Sequence, residues 1–472
     1  MKICFVQKSA FPYFGIIELS GFLMSQGHEA SVIINDLEDD FLGAVAATNA
    51  DLLGISCMST ETGWMAEAAS QLRQRFPSKP LIVGGVHAML YPEMVMSVEA
   101  VTYVCTGDGE ETLPPLLEAL GTPERIKAVP GLGYRDEAGE VVFTPRARLY
   151  PTIDATLADR SIYYSRYPQL GRDELKQFSG SRGCPYACAF CFNSQLRKIA
   201  EGLGPYVRRK DPERFIAEIE ATTTQYGVKA IFFADDLFLT NKKWLRSFLG
   251  MYRERINVPF MCSVRADAVD EEIAAMLAEA GCSTITFGLE TGNEKLRKTV
   301  LQKSITDVHI RRCAAVLQKH RIKMQSSNMF CIPDETFEDA LATVKMNIDI
   351  GVKFAFCTVF MPFPGTPLSD YCKQKGLLKQ DFGFADLPKS FLTHSIMDIP
   401  DRKRIQSVQR CAYFMIRYPV LYRPLSLLTR LFGKSGLFYP LLFLGTFMRY
   451  KEERGISFLA AIRFLWRFRS SF

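Results

Sequence analysis

Three cysteines stand close together in Ser181-Arg182-Gly183-Cys184-Pro185-Tyr186-Ala187-Cys188-Ala189-Phe190-Cys191, at the spacing C-x3-C-x2-C. Thiolates are soft ligands, and a short loop of them suits an iron–sulfur cluster. Three thiolates fill three corners of a 4Fe–4S cube and leave the fourth iron open for a small molecule. Gly183 and Pro185 make the stretch a loop rather than a helix face. The competing reading, three buried cysteines packed as small apolar residues, leaves the spacing unexplained. The spacing by itself defines a three-thiolate metal site at Cys184, Cys188 and Cys191.

A loop of this kind needs a frame. Around it, short apolar runs at 175–179, 230–233, 260–264, 283–287, 324–329 and 355–360 alternate with helical patterns at 212–226, 243–255, 271–280, 305–320 and 338–350. Six β–α units in series imply a parallel sheet curved into a full or partial (β/α)6 barrel. The cysteine loop follows the first strand, so it opens at the carboxyl end, where barrel active sites lie. Polar residues fall at the other strand ends. Asp235 and Asp236 follow the second strand, Arg265 ends the third and Glu290 ends the fourth. Carboxylates suit an ammonium group, and a guanidinium matches a carboxylate through two parallel hydrogen bonds. Pro333-Asp334-Glu335-Thr336 and Phe363-Pro364-Gly365-Thr366-Pro367 follow the fifth and sixth strands, and Asp and Thr there equally suit helix caps.

Ahead of the barrel, residues 1–124 show a second strand–helix rhythm. Candidate strands at 2–6, 30–34, 52–56, 81–83 and 101–104 alternate with helical stretches such as 16–26 and 62–75. This is the pattern of a doubly wound parallel sheet, whose ligands sit at the carboxyl ends of the strands. The loops there read Ser56-Cys57-Met58-Ser59-Thr60, Gly84-Gly85-Val86-His87 and Thr106-Gly107-Asp108-Gly109-Glu110-Glu111. Glycines allow close backbone approach, and hydroxyls hold polar ligand groups. Between the two regions, residues 125–171 are broken by Gly131, Gly133, Gly139, Pro145 and Pro151 and read as a linker. The α/β chain thus divides into 1–124, a linker 125–171, a barrel 172–376 and a helical region 377–472.

The triplet, with Phe190 just before its third cysteine, resembles the radical S-adenosylmethionine (SAM) superfamily, and the series of strand ends across 172–370 resembles its core. The resemblance implies that the open iron binds SAM and that one electron from the cluster releases a 5′-deoxyadenosyl radical. It places Asp235 at the SAM ammonium, Arg265 at its carboxylate, Glu290 at its amino group or ribose, and Phe190 beside the cluster. The glycine loops ahead of such a triplet resemble the cobalamin-binding domain of the cobalamin-dependent branch. On that resemblance Ser56, Thr60, Gly84, Gly85, His87, Gly107, Gly109 and Glu110 contact the corrin. The D-x-H-x-x-G motif that supplies a histidine to cobalt is absent, so cobalamin is expected without a histidine ligand.

The family's reaction would be hydrogen abstraction from an unactivated carbon, followed by methyl transfer from methylcobalamin. Ring closure, rearrangement or oxidation with the same cofactors stays open. So does an N-terminal domain kept only for docking. A rival reading makes Cys57 and Cys105 ligands of a second cluster, as in methylthiotransferases, but their flanking residues do not match that pattern.

Composition sets the remaining bounds. With 472 residues, 48% of them hydrophobic and 23% charged, the chain is an ordinary globular protein of two or three domains. Thirteen cysteines, without paired secreted-type spacing, and an N-terminal apolar run of only four residues fit a reducing cytoplasm. From Asp401 to Phe472 there are 14 Lys/Arg against 3 Asp/Glu. This tail is also aromatic and apolar, as in Ile462-Arg463-Phe464-Leu465-Trp466-Arg467-Phe468-Arg469, and its uncharged run 436–448 holds Pro440 and is too short to span a bilayer. It reads either as an interfacial helix at the inner membrane surface or as a helical lid with a solvated basic face. The expected partners are a small, lipid-like or apolar substrate and a flavodoxin- or ferredoxin-type electron donor. No nucleic-acid module is visible.

Overall fold

A run such as Ile3-Cys4-Phe5-Val6 has no polar face and is satisfied only when both of its sides are covered. The computed structural model, which describes residues 1–153, 158–388, 390–433 and 436–454, places it in strand β1 (Lys2–Gln7), buried from its second residue on. Around β1 stand β2 (Glu29–Ile34), β3 (Leu52–Ser56), β4 (Leu81–Gly84) and β5 (Tyr103–Cys105), in the order β2-β1-β3-β4-β5 and all parallel. Apolar side chains fill both faces of this sheet. Phe5, Ile16, Leu52 and Leu116 lie on one face, and Val6, Leu53, Val83 and Leu72 on the other.

Two further strands, β6 (Leu132–Arg135) and β7 (Val141–Phe143), extend the sheet antiparallel beyond β5. They fall inside the segment expected as a linker. Gly131 has φ +65 and Gly133 lies where an added Cβ would meet Val104 Cγ1 at 2.6 Å. The glycines that looked like breaks permit this close-packed edge.

The second sheet is built of β8 (Leu175–Phe178), β11 (Ala230–Phe233), β12 (Phe260–Val264), β13 (Cys282–Glu290), β14 (Lys323–Phe330) and β15 (Phe354–Val359). They stand in the order β15-β14-β13-β12-β11-β8. β12 through β15 pair in parallel. With β8 and β15 at the edges, the barrel is partial rather than closed. A short antiparallel ladder, β9 (Ser181–Arg182) with β10 (Arg208–Arg209), flanks the cysteine loop. Each connecting helix starts on a side-chain cap. Asp211, Asn241, Asp270, Thr306 and Thr336 accept from backbone N–H groups of the first turn. Thr336 and Thr366, seen in the sequence as strand-end polar residues, are both caps.

The chain divides into two compact units. One comprises Met1–Pro185 and Gln195–Ile231, the other Tyr186–Ser194 and the chain from Phe232 on. In the second, the helix Arg402–Arg417 is buried along most of its length and packs on β15 and on the helix Phe337–Asp349. The helices Tyr422–Phe432 and Tyr439–Arg454 follow. Among the described residues no helix is long and apolar enough to cross a membrane. The arginine-rich stretch 462–469 lies outside the described residues.

Candidate functional site

The cysteine loop begins at Gly183, which has φ +86 and leaves no room for a side chain, since an added Cβ would lie 2.5 Å from the Tyr206 carbonyl oxygen. Of the thirteen cysteines, nine are buried. The four that are half-exposed are Cys184, Cys188, Cys191 and Cys357. The triplet therefore differs from the structural cysteines in the direction a ligand set requires. Arg265 Nη1 donates to Cys188 Sγ at 4.0 Å and Asn193 Nδ2 to Cys191 Sγ at 3.7 Å. Loss of water pushes both thiols up, Cys191 to about 11, while Lys303 and Arg265 draw Cys188 down. A soft metal displaces such protons, and N–H donors then face thiolate sulfur. Among the described residues no three His, Cys, Asp or Glu side chains gather tightly enough for a single ion, and a cube of four irons is a larger guest.

Within the second unit, Cys188 has charged company. Arg265 grips Asp267 with two parallel bonds, Nε to Oδ1 at 3.1 Å and Nη2 to Oδ2 at 3.0 Å. Its guanidinium lies 3.6 Å above the Tyr186 ring. Arg265, expected at the SAM carboxylate, has Nε and Nη2 on Asp267 and turns Nη1 toward Cys188. Glu290, at φ +64, sits where the register between β13 and β14 shifts, and Lys303 Nζ holds its Oε1 at 2.7 Å in a nearly dry pair. Asp235 is buried, within electrostatic range of the Cys262 thiol. Its neighbour Asp236 is the carboxylate that hydrogen-bonds Asn193 and acts on Cys191. Phe190 is half-buried. Lys303, Asp267 and Asn193 escaped sequence reasoning. Asp267 lay two residues from Arg265, but nothing in the local pattern marked Lys303.

The first unit contains a cavity of about 270 Å³ at the carboxyl ends of β1, β3, β4 and β5. Ser56, Gly84, Gly85, Gly107, Gly109 and Glu110 line it, together with Asp108, Leu19, Met89 and Arg182. At Gly84 and Gly107 no neighbour stands closer than 3.7 and 3.9 Å to an added Cβ, and neither has positive φ. Crowding and strain do not require glycine there. What glycine secures is an open floor, on which a flat group can rest against backbone. This fits one face of a macrocycle. Thr60 is exposed and does not line the cavity. His87 is fully buried beneath its loop, with Nδ1 3.1 Å from Ser59 Oγ, and burial lowers its pKa to about 4. The corrin contacts expected of these two residues are not among the cavity's walls. Cys57 and Cys105 are buried thiols whose pKa is raised by loss of water.

A charge network fixes one wall. Arg182, two residues before Cys184, binds Glu18 at 2.6 Å and Glu110 at 2.5 Å. Arg208 binds Asp108 at 2.5 Å, and Lys210 bridges Glu18 at 3.0 Å and Glu218 at 2.6 Å. Burial alone would raise the Glu18 carboxyl, but Lys210 and Arg182 hold it at about 2. The cavity loop 107–110 and the start of the cysteine loop are thus tied by the same side chains.

A parallel sheet with a glycine-floored cavity and a three-cysteine loop after the first strand of a partial barrel define a cofactor-dependent iron–sulfur enzyme. Residues 178–346 match the Radical SAM superfamily and residues 6–117 match the B12 binding domain. The uncharacterized methyltransferase PH0819 of Pyrococcus horikoshii is 28% identical over 381 residues, 78% of this chain and 80% of its own. An anaerobic magnesium-protoporphyrin IX monomethyl ester cyclase of Rubrivivax gelatinosus is 24% identical over 383 residues, 78% of this chain and 66% of its own. In fold, the chain resembles the radical S-adenosylmethionine methyltransferase TsrM from Kitasatospora setae, with TM-score 0.64, 18% identity, and 80% and 76% of the two chains covered. It also resembles the cobalamin-dependent S-adenosylmethionine radical enzyme OxsB, with TM-score 0.71, 14% identity, and coverage of 98% and 80%. This chain is a radical SAM enzyme with a B12-binding domain. Those domains imply a 4Fe–4S cluster, SAM and cobalamin as its cofactors.

Proposed function

We propose that the enzyme methylates an unactivated carbon of a small, apolar substrate. When bound, the cluster and SAM supply one-electron cleavage of a carbon–sulfur bond, and cobalamin supplies a transferable methyl group. Cys184, Cys188 and Cys191 hold the cluster. Arg265 and Glu290, both within electrostatic range of Cys188, meet the SAM amino-acid end, with Asp267 and Lys303 fixing their positions. Ser56, Gly84, Gly85, Gly107, Gly109 and Glu110 seat the corrin. We assign no direct part to Thr60, His87 or Asp235. Electrons come from a flavodoxin- or ferredoxin-type donor, and the enzyme works in the cytoplasm, attached peripherally to the inner membrane surface.

The observation that supports this reading most is the open glycine floor of the cavity, in the same unit as Cys184. Anaerobic reconstitution tests it. The reading expects corrin absorbance, 5′-deoxyadenosine and a product heavier by one CH2 unit. Absent corrin absorbance would leave a docking domain only. Radical formation with no gain in product mass would favour ring closure, rearrangement or oxidation instead, the reading to which the cyclase relatives lend weight.

A further inference from the structure

Surface helices normally turn their apolar stripe inward. The helix Tyr422–Phe432 does the reverse. Its inner face is small and polar. Thr429 is fully buried, and just past the helix Ser407 Oγ donates to the Gly433 carbonyl at 2.8 Å. A Cβ on Gly433 would come within 3.1 Å of Arg404 in the helix Arg402–Arg417. The packing is tight, so the outward face is held in place. That face carries Leu427 at 56% and Leu431 at 63% exposure, with Val420, two turns before Leu427 in the short turn ahead of the helix, at 82%. Positions 420, 424, 427, 428 and 431 follow helical spacing along one stripe.

The following segment, from Leu437 into the helix Tyr439–Arg454, is apolar inside but also turns large apolar side chains outward. Phe438, Leu442 and Phe447 are buried, and Gly445 lies against Tyr413. Leu437, Phe443 and Leu444 are exposed. Two neighbouring elements thus present large apolar side chains to the outside, a cost that a surface with no occupant would not repay. Charge identifies the occupant. From residue 402 to 454, the end of the second helix, the chain has 11 Lys/Arg and two Asp/Glu. An apolar face set in a predominantly cationic stretch matches phosphate headgroups above an acyl layer. A second copy of this chain would bring the same positive charge against itself.

We propose that the helices Tyr422–Phe432 and Tyr439–Arg454 lie in the surface of an anionic membrane, with Val420, Leu427, Leu431, Phe443 and Leu444 entering the acyl boundary. The proposal deepens the peripheral attachment suggested above and rests on this face, not on the chemistry. The full-length protein is to be sedimented with vesicles of phosphatidylcholine alone and of phosphatidylcholine with phosphatidylglycerol. It is expected to bind the anionic vesicles and to release partly in high salt. The double variant Leu427→Glu/Leu431→Glu is expected to bind about tenfold less, with iron content and SAM cleavage unchanged. Equal binding by this variant, or no binding of the parent protein at low salt, overturns the proposal. So does a dimer that the variant splits while vesicles bind neither form, since the face would then join two copies. Failure of SAM cleavage with vesicle binding retained would sink the enzymatic reading and leave this one standing.

Discussion

Alanine at Cys184, Cys188 or Cys191 is expected to abolish both bound iron and 5′-deoxyadenosine formation, because the cube loses a corner ligand. Intact protein should carry about four irons per chain rather than about eight, since Cys57 and Cys105 are buried thiols. Metal analysis checks this directly. The Lys303–Glu290 pair makes a sharper prediction. Lys303→Met leaves a carboxylate buried without its cation, which costs roughly 3–5 kcal/mol and should lower the melting temperature. Adding Glu290→Gln should restore stability but not SAM binding, which calorimetry can separate. His87 sets a pH dependence. Its folded pKa, about 4 through burial, lies below the ordinary histidine value, so the unfolded chain binds the proton first. Stability is complete above about pH 6.5 and is lost as pH falls toward about 4. His87→Gln should flatten that part of the stability profile if chemical denaturation is followed against pH.

Among the elements, the ladder of β9 with β10 does more than its four residues suggest. It carries Arg182 and Arg208 to Glu18, Glu110 and Asp108, and so joins the cavity wall to the chain entering the cysteine loop. Arg182→Ala is expected to weaken corrin binding by an order of magnitude or more while iron is still incorporated, because the 107–110 loop loses its anchor. A visible titration with cobalamin measures this, and Arg182→Lys should recover part of the loss. The strands of both sheets were legible beforehand because parallel strands covered on both faces need unbroken apolar runs, as at 52–56 and 260–264. β6 and β7 were not, since short edge strands rich in glycine look like a linker. Asp235 and Asp236 show a one-residue limit of another kind. Local pattern placed carboxylates after β11, but which of the two turns to Cys191 is set by the path of the backbone. The partners of Arg182 lie 72 and 164 residues away in sequence, and no periodicity reports a pairing of that span.

On the scale of the whole molecule, the first unit takes in chain from well beyond residue 124. A fragment ending there would lack β6, β7, Arg182, Arg208 and Lys210, and leave Glu18, Asp108 and Glu110 without cations. It should fail to melt cooperatively, whereas one ending at 231 should show a transition by circular dichroism. The uneven placement of the thirteen cysteines has a practical side as well. Nine are sealed in the interior and four are half-exposed, so an alkylating reagent reads the state of the protein without any spectroscopy. Native apoprotein offers the three triplet cysteines, and cluster-loaded protein shields them; Cys357 adds little in either state, because loss of water pushes its thiol up to about 12. The other ten cysteines become reactive only on unfolding, so one mass spectrum of the alkylated chain counts loaded, empty and denatured molecules side by side.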